Sequence, residues 1–280
     1  MWKRLSVVAV LVLTSLVAPS GTAAAAPCTV AAVGDVAGAG DYQEGANRTA
    51  RLVASTAVDT LFVLGDLAYE SGTLYEFNSY YDPGYGPLKP NTKPIPGNHE
   101  YKSGLAGYKA YFDISGASYG FDVCSWFVIA VNQYAGIQAG VDSIREYDAA
   151  HPDVPLIVMW HEPRWSSGEH GSLEAVQPLW QAAVAAGARI VLNGHDHHYE
   201  RFAPMTASGA AHPAGTYAFV SGNGGHELRG VTSPLERNSA DHATGTPGVL
   251  FLQLHRDGSF GWTYRDVNGA VGDSGQAPPG

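Results

Sequence analysis

Five short polar motifs constrain the fold of this chain more than any other feature: Gly34-Asp35, Gly65-Asp66-Leu67-Ala68-Tyr69, Gly97-Asn98-His99-Glu100, Trp160-His161 and Gly194-His195-Asp196-His197. Four of them follow apolar or β-branched runs, at residues 30–33, 61–64, 154–159 and 189–192, and the other follows the shorter extended stretch 92–96. In an open α/β sheet, ligands collect outside the carboxyl ends of the strands. Side chains far apart in sequence would therefore meet at one edge. The carboxylates, phenol, amide and imidazoles gathered there form a metal-binding inventory of hard oxygens and ring nitrogens with no thiolate.

The rest of the chain supports this layout. A strand at 29–33 leads through a Gly-rich loop to a helix near 46–57 and a strand at 60–64. Helical composition at 141–150 and 173–186 precedes and follows the strand 154–160, and another strand stands at 189–192. Residues 119–123, 126–132, 217–221, 249–255 and 260–267 read as antiparallel β, with Arg256-Asp257-Gly258 as a hairpin turn. An α/β fold with a core of two β-sheets flanked by helices accounts for both kinds of strand. We expect one catalytic domain over residues 27–268 and a frayed, flexible C-terminal tail over 269–280. The Tyr-, Gly- and Pro-rich stretch 70–90 is either a substrate-facing wall or an aromatic packing excursion. The turn at 34–40 lacks the G-x-G-x-x-G spacing of a dinucleotide site.

Residues 1–26 have the layout of a secretory signal peptide: Lys3 and Arg4, an apolar run at 5–17, then small residues at 23–26. That run is shorter than the roughly 20 residues of a spanning helix. The expected location is secreted or extracellular, including periplasm or cell wall, with no membrane association after signal removal. The segment holds two basic residues and no acid, so its loss takes the net charge from −10 to −12. So acidic a chain offers no nucleic-acid-binding platform. A bound di-cation would still let it accept an anionic ester. Export makes Cys28 and Cys124 a candidate disulfide pair, the alternative being two buried free thiols.

The five motifs, with the trailing His198-Tyr199-Glu200-Arg201, resemble those of the calcineurin-like metallophosphoesterase superfamily, and within it the purple acid phosphatases. The resemblance spans residues 34–201. It implies a four-layer αββα sandwich with the metal site at the strand C-terminal ends, as in a secreted bacterial form carrying the catalytic domain alone. It further implies that Asp35, Asp66, Tyr69 and His197 hold a first metal and that Asp66, Asn98, His161 and His195 hold a second, Asp66 bridging. Most superfamily members have a His where this chain has Ala37. The purple phosphatases lack that His and use a Tyr, here Tyr69, whose phenolate favours Fe(III). The second site suits Fe(II), Zn(II) or Mn(II). Should Tyr69 instead be a core residue, a colourless Mn or Zn enzyme results.

By the same resemblance, His99 is a catalytic residue that contacts the phosphoryl group or protonates the leaving group. His170, the second catalytic candidate, matches the family's outer histidines more loosely, the alternative being an ordinary loop histidine. Asn98, His99, His170 and Arg164 are the substrate-binding candidates, Arg164 being either a bidentate phosphate contact or one half of a surface ion pair. His198 reads as structural and His226, after Gly222-Asn223-Gly224-Gly225, as part of a turn. The expected activity is that of a phosphatase, hydrolysing small phosphate monoesters by attack of a metal-bound hydroxide. The alternatives are a phosphodiesterase or nucleotidase on the same scaffold and a catalytically inactive extracellular binding protein. The sequence does not specify an oligomeric state.

Overall fold

Strand β1 (Cys28–Val33) is apolar at nearly every position because both its faces are covered. Val30 and Ala32 pack between two sheets, while Ala31 and Val33 pack against a helical layer. The computed structural model describes residue 2 and residues 28–280. The export signal expected over residues 1–26 lies, residue 2 aside, outside the described residues.

After β1 the chain forms α1 (Asp41–Ala54), β2 (Thr60–Leu64), and a helical excursion made of α2 (Leu74–Glu76), a π turn, α3 (Asp82–Tyr85) and a 3₁₀ turn. It continues with β3 (Thr92–Ile95), α4 (Asn98–Tyr101), α5 (Ala106–Phe112), β4 (Tyr119–Val123), β5 (Trp126–Ala130), α6 (Ile137–Ala150) and β6 (Leu156–Met159). Then come α7 (Gln177–Ala185), β7 (Ile190–Asn193), β8 (Tyr199–Phe202), β9 (Tyr217–Ser221), β10 (Ser239–Ala243), β11 (Gly248–Leu254), β12 (Phe260–Asp266) and β13 (Val271–Ala277). One sheet runs β13-β12-β11-β1-β2-β3 and the other β10-β8-β9-β7-β6-β5-β4. Val30, Phe62, Trp126, Ile157, Leu192, Leu252 and Trp262 fill the space between them. Helices α6 and α7 cover the outer face of the second sheet. Helix α1 and residues 74–112 cover that of the first. The result is the expected αββα stack.

Two expectations need correction. Residues 271–277 are not a frayed tail: β13 pairs with β12 from Phe260↔Ala277 to Arg265↔Val271. The antiparallel reading of 126–132 and 217–221 holds on one side only. Strand β5 is antiparallel to β4 and parallel to β6, and β9 is antiparallel to β8 and parallel to β7. Of the two readings left open for 70–90, packing holds for Phe77, Tyr81 and Tyr85, which are fully buried, while Glu70 at its start lines a cavity. Cys28 and Cys124 form a disulfide.

Candidate metal centre

The parallel strands β1, β2 and β3 of one sheet and β6 and β7 of the other place the five motif loops at one edge. Asp35, Asp66 and His195 each turn out of the strand direction with left-handed backbone (φ 59°, 50° and 71°). Such conformations cost non-glycine residues energy and cluster at functional sites. Two glycines allow the loops to approach. A Cβ on Gly97 would collide with the Asp66 carboxylate, and one on Gly194 would sit 2.7 Å from Asp35 Oδ2.

The seven expected ligands meet in two overlapping groups. In the first, the Tyr69 hydroxyl lies 3.0 Å from Asp35 Oδ1, 3.3 Å from Asp66 Oδ2 and 3.2 Å from His197 Nε2. In the second, His161 Nε2 lies 3.2 Å from both Asp66 Oδ2 and Asn98 Oδ1, and His195 Nδ1 is 3.1 Å from Asn98 Oδ1. The far ring nitrogens are anchored. His161 Nδ1 meets the Leu64 carbonyl at 2.6 Å and His197 Nδ1 the Glu227 carbonyl at 2.8 Å. A carbonyl only accepts, so these nitrogens carry the protons and Nε2 faces the site.

Asp35 and Asp66 are 0% and 1% exposed, and among the described residues neither pairs with a lysine or arginine. Burial works against ionising Asp66, but the His161 imidazole, with His99 behind it, holds its carboxyl well below the usual range. The converse holds for His161, where Asp66 overcomes burial and lifts the pKa to about 10. Burial, then His161 and His170, push His195 down to about 2. Burial and the two carboxylates keep the Tyr69 phenol well above its ordinary value. Buried carboxylates are expensive, and the His161 and His197 rings beside them supply countercharge only when protonated, a state that cannot ligate a metal through the same nitrogen. Metal cations at the two foci would supply the missing charge, and the donor set is chemically suited to them.

The cavity over this edge has a volume of about 130 Å³ and is lined by Asp66, Tyr69, Asn98, His99, His170, His195 and His197. The backbone N–H of His99 donates to Asp66 Oδ1 at 2.8 Å, and its ring Nδ1 meets the Glu70 carbonyl at 2.8 Å. His170 stacks on His195 with ring centres 4.4 Å apart, and its Nε2 lies 2.5 Å from the Arg229 guanidinium. Arg164 is the one expected site residue placed elsewhere. It pairs with Gln177 and Glu174 and lies over Trp165, away from the cavity wall. His198 is fully buried against Glu200.

Sequence reasoning missed Glu70, Glu227 and Arg229 as lining residues and undervalued His226. The available signal was the loop after β9: that strand is parallel to β7, so its carboxyl end opens at the same edge. Burial and the His197 ring push His226 down to about 3.

Hard donors converging at the strand ends of a two-sheet sandwich define a candidate metal-binding site. The chain belongs to the calcineurin-like phosphoesterase family, whose sequence model matches residues 28–199. No curated protein matches it in sequence. Among solved structures, the fold is similar to that of purple acid phosphatase PPD1 from seeds of yellow lupin (Lupinus luteus), with a TM-score of 0.76 and 18% identity over 89% of this chain. The match covers 53% of the lupin protein, so this chain spans about half its length. It is also similar to GAP50, the anchor in the inner membrane complex of Plasmodium (TM-score 0.72, 13% identity, 91% of this chain and 90% of that one). PhoD is a further neighbour (TM-score 0.63, 10% identity, 92% and 70%). The family implies a dinuclear metal centre.

Proposed function

We propose that this chain is a secreted dinuclear-metal phosphatase that hydrolyses small phosphate monoesters. The observation that carries the reading is Asp66, whose Oδ2 lies 3.3 Å from the Tyr69 hydroxyl and 3.2 Å from His161 Nε2. One carboxylate thus faces both halves of the donor set. Asp35, Asp66, Tyr69 and His197 would hold Fe(III), and Asp66, Asn98, His161 and His195 would hold Fe(II), Zn(II) or Mn(II). Bound ions supply Lewis acidity to the phosphoryl oxygens and acidify the attacking water.

The chain's own residues do the rest. His99, whose Nδ1 meets the Glu70 carbonyl, would turn Nε2, which lies 3.4 Å from Lys102 Nζ, to the leaving-group oxygen. His170 and the Asn98 amide flank the phosphoryl group. The compact polar cavity favours a small, doubly charged head over a diester with two bulky arms. The disulfide fits an oxidising compartment.

The test compares aryl phosphate monoester and diester turnover on metal-reconstituted protein. Monoester turnover is expected to dominate, with an acidic to neutral optimum. Asp66→Ala should remove both metals, whereas His99→Ala should keep them and lower kcat by about 10²-fold or more. Diester dominance would move the assignment to a phosphodiesterase, and equal metal loss in both variants would sink the division of roles. An iron-loaded sample should show a visible absorption band that Tyr69→Phe abolishes.

A further inference from the structure

His226 follows β9 and is 4% exposed, yet neither ring nitrogen has a hydrogen-bond partner among the described residues. A buried polar group left unpaired costs about 1–3 kcal/mol, so a native structure seldom keeps one without use. The ring cannot swing away to find a partner. It lies flat on Tyr69, with centres 3.5 Å apart and planes 8° apart, and Tyr42 sits 4.3 Å away. Its backbone N–H is tied to the Asp35 carbonyl at 3.1 Å.

The ring lines the same cavity as His99 and His170. Stacking alone would be served by phenylalanine; the imidazole adds a donor aimed into a polar cavity. The group nearest that donor is the Glu70 carboxylate, with Oε1 3.4 Å from His226 Nε2 and Oε2 3.7 Å from His99 Nδ1. The Glu70 side chain is 69% exposed and free to move into solvent. An anionic group thus already spans the two imidazoles on either side of the cavity mouth, with no other ion-pair partner among the described residues. The other titratable groups around the ring are His197, with ring centres 5.5 Å apart, His99, Asp66, Glu227 and, beyond it, Arg229, which pairs with Glu227 at 2.7 Å.

We infer that His226 is a third imidazole of the ester pocket, donating a ring N–H to a phosphoryl oxygen that displaces the Glu70 carboxylate. The inference rests on the phosphoesterase reading above. Glu70 then acts as a built-in competitor that the substrate must push aside, and His226 contributes to binding the ester rather than the metals.

Binding of inorganic phosphate to the metal-reconstituted full-length protein, by titration calorimetry with metal content measured in parallel, tests this. His226→Phe keeps the stack on Tyr69 and should retain both metals while weakening phosphate binding roughly tenfold to a hundredfold. His226→Gln restores an N–H donor and should recover part of the loss. Glu70→Gln should tighten binding. Phosphate affinity unchanged in His226→Phe, or metal lost from it, overturns the inference. Weaker binding by Glu70→Gln overturns the competitor role, even if a position 226 variant folds poorly. Wild-type protein that holds two metals but ignores phosphate defeats the phosphoesterase reading itself, and this inference with it.

Discussion

Glu100 organises the residue-scale geometry of the site without facing the cavity. Fully buried, it accepts the backbone N–H groups of Gly97 at 2.8 Å, Asp66 at 2.9 Å, Leu67 at 2.8 Å and Ala68 at 3.3 Å. These belong to the loops after β2 and β3, so one side chain locks the Asp66 and Asn98 motifs together. Glu100→Ala would leave four buried donors unpaired. We expect a stability loss of at least about 3 kcal/mol and weaker retention of both metals, read by denaturant titration and metal analysis. The sequence placed Glu100 in its motif but not its task, because a carboxylate that accepts backbone donors looks like any other in a list of letters. Asp35, Asp66, Asn98, His161 and His195 stood out because each directly follows a glycine or closely follows an apolar run, whereas Tyr69, His99 and His197 were reached only through the resemblance of their motifs. The placement of Arg164 was not legible, since its partners Gln177 and Glu174 come from a following segment.

At the scale of elements, β13 illustrates how a strand escapes detection. Its sequence, Val-Gly-Asp-Ser-Gly-Gln-Ala, has no apolar run. It is an edge strand held by its ladder to β12 and by one buried acid, Asp273. Asp273 accepts from Tyr199 at 2.7 Å, from Arg201 at 2.7 and 3.1 Å, and from Trp262 Nε1 at 3.0 Å. Burial works to raise its pKa, but Arg201 and Tyr199 prevail and hold it below 3.8. A depressed carboxylate stabilises the fold above its unfolded pKa, and that stability fades as pH falls through the folded value. Asp273→Asn should therefore cost about 3 kcal/mol at pH 7, and the gap from wild type should shrink below about pH 4. Urea titrations at pH 7 and pH 3 check both arms; a gap equal at the two pH values would disprove the charge argument. Strand β2, by contrast, was legible from end to end because both faces are buried. Residues 74–91 were opaque because their Pro and Gly content signals a loop. Packing of Phe77, Tyr81 and Tyr85 against α1 instead winds them into short helical turns.

Over the whole molecule, the two sheets are joined by their shared core and by specific ties, two of which lie at different places. The Asp273 to Arg201 and Tyr199 contacts link β13 of one sheet to β8 of the other. The Cys28–Cys124 disulfide links the start of β1 to the β4–β5 turn. Cys28 lies at the opposite end of β1 from Asp35, so the disulfide braces the sandwich from the edge remote from the metal centre. With its cysteines separated by 96 positions in sequence, the bond should contribute about 4–5 kcal/mol by restricting the unfolded chain. Most of that effect acts on the unfolded state, so the site should be little altered when the bond is absent. We expect the Cys28→Ser, Cys124→Ser double variant to melt about 10 °C or more below wild type. At 20 °C it should retain its metals and the wild-type kcat. A calorimetric scan with steady-state assays below the transition decides it. Loss of metal in the folded double variant would mean that the disulfide strains or positions the strand-end loops across the length of β1, and that the two edges of the sandwich are not mechanically independent.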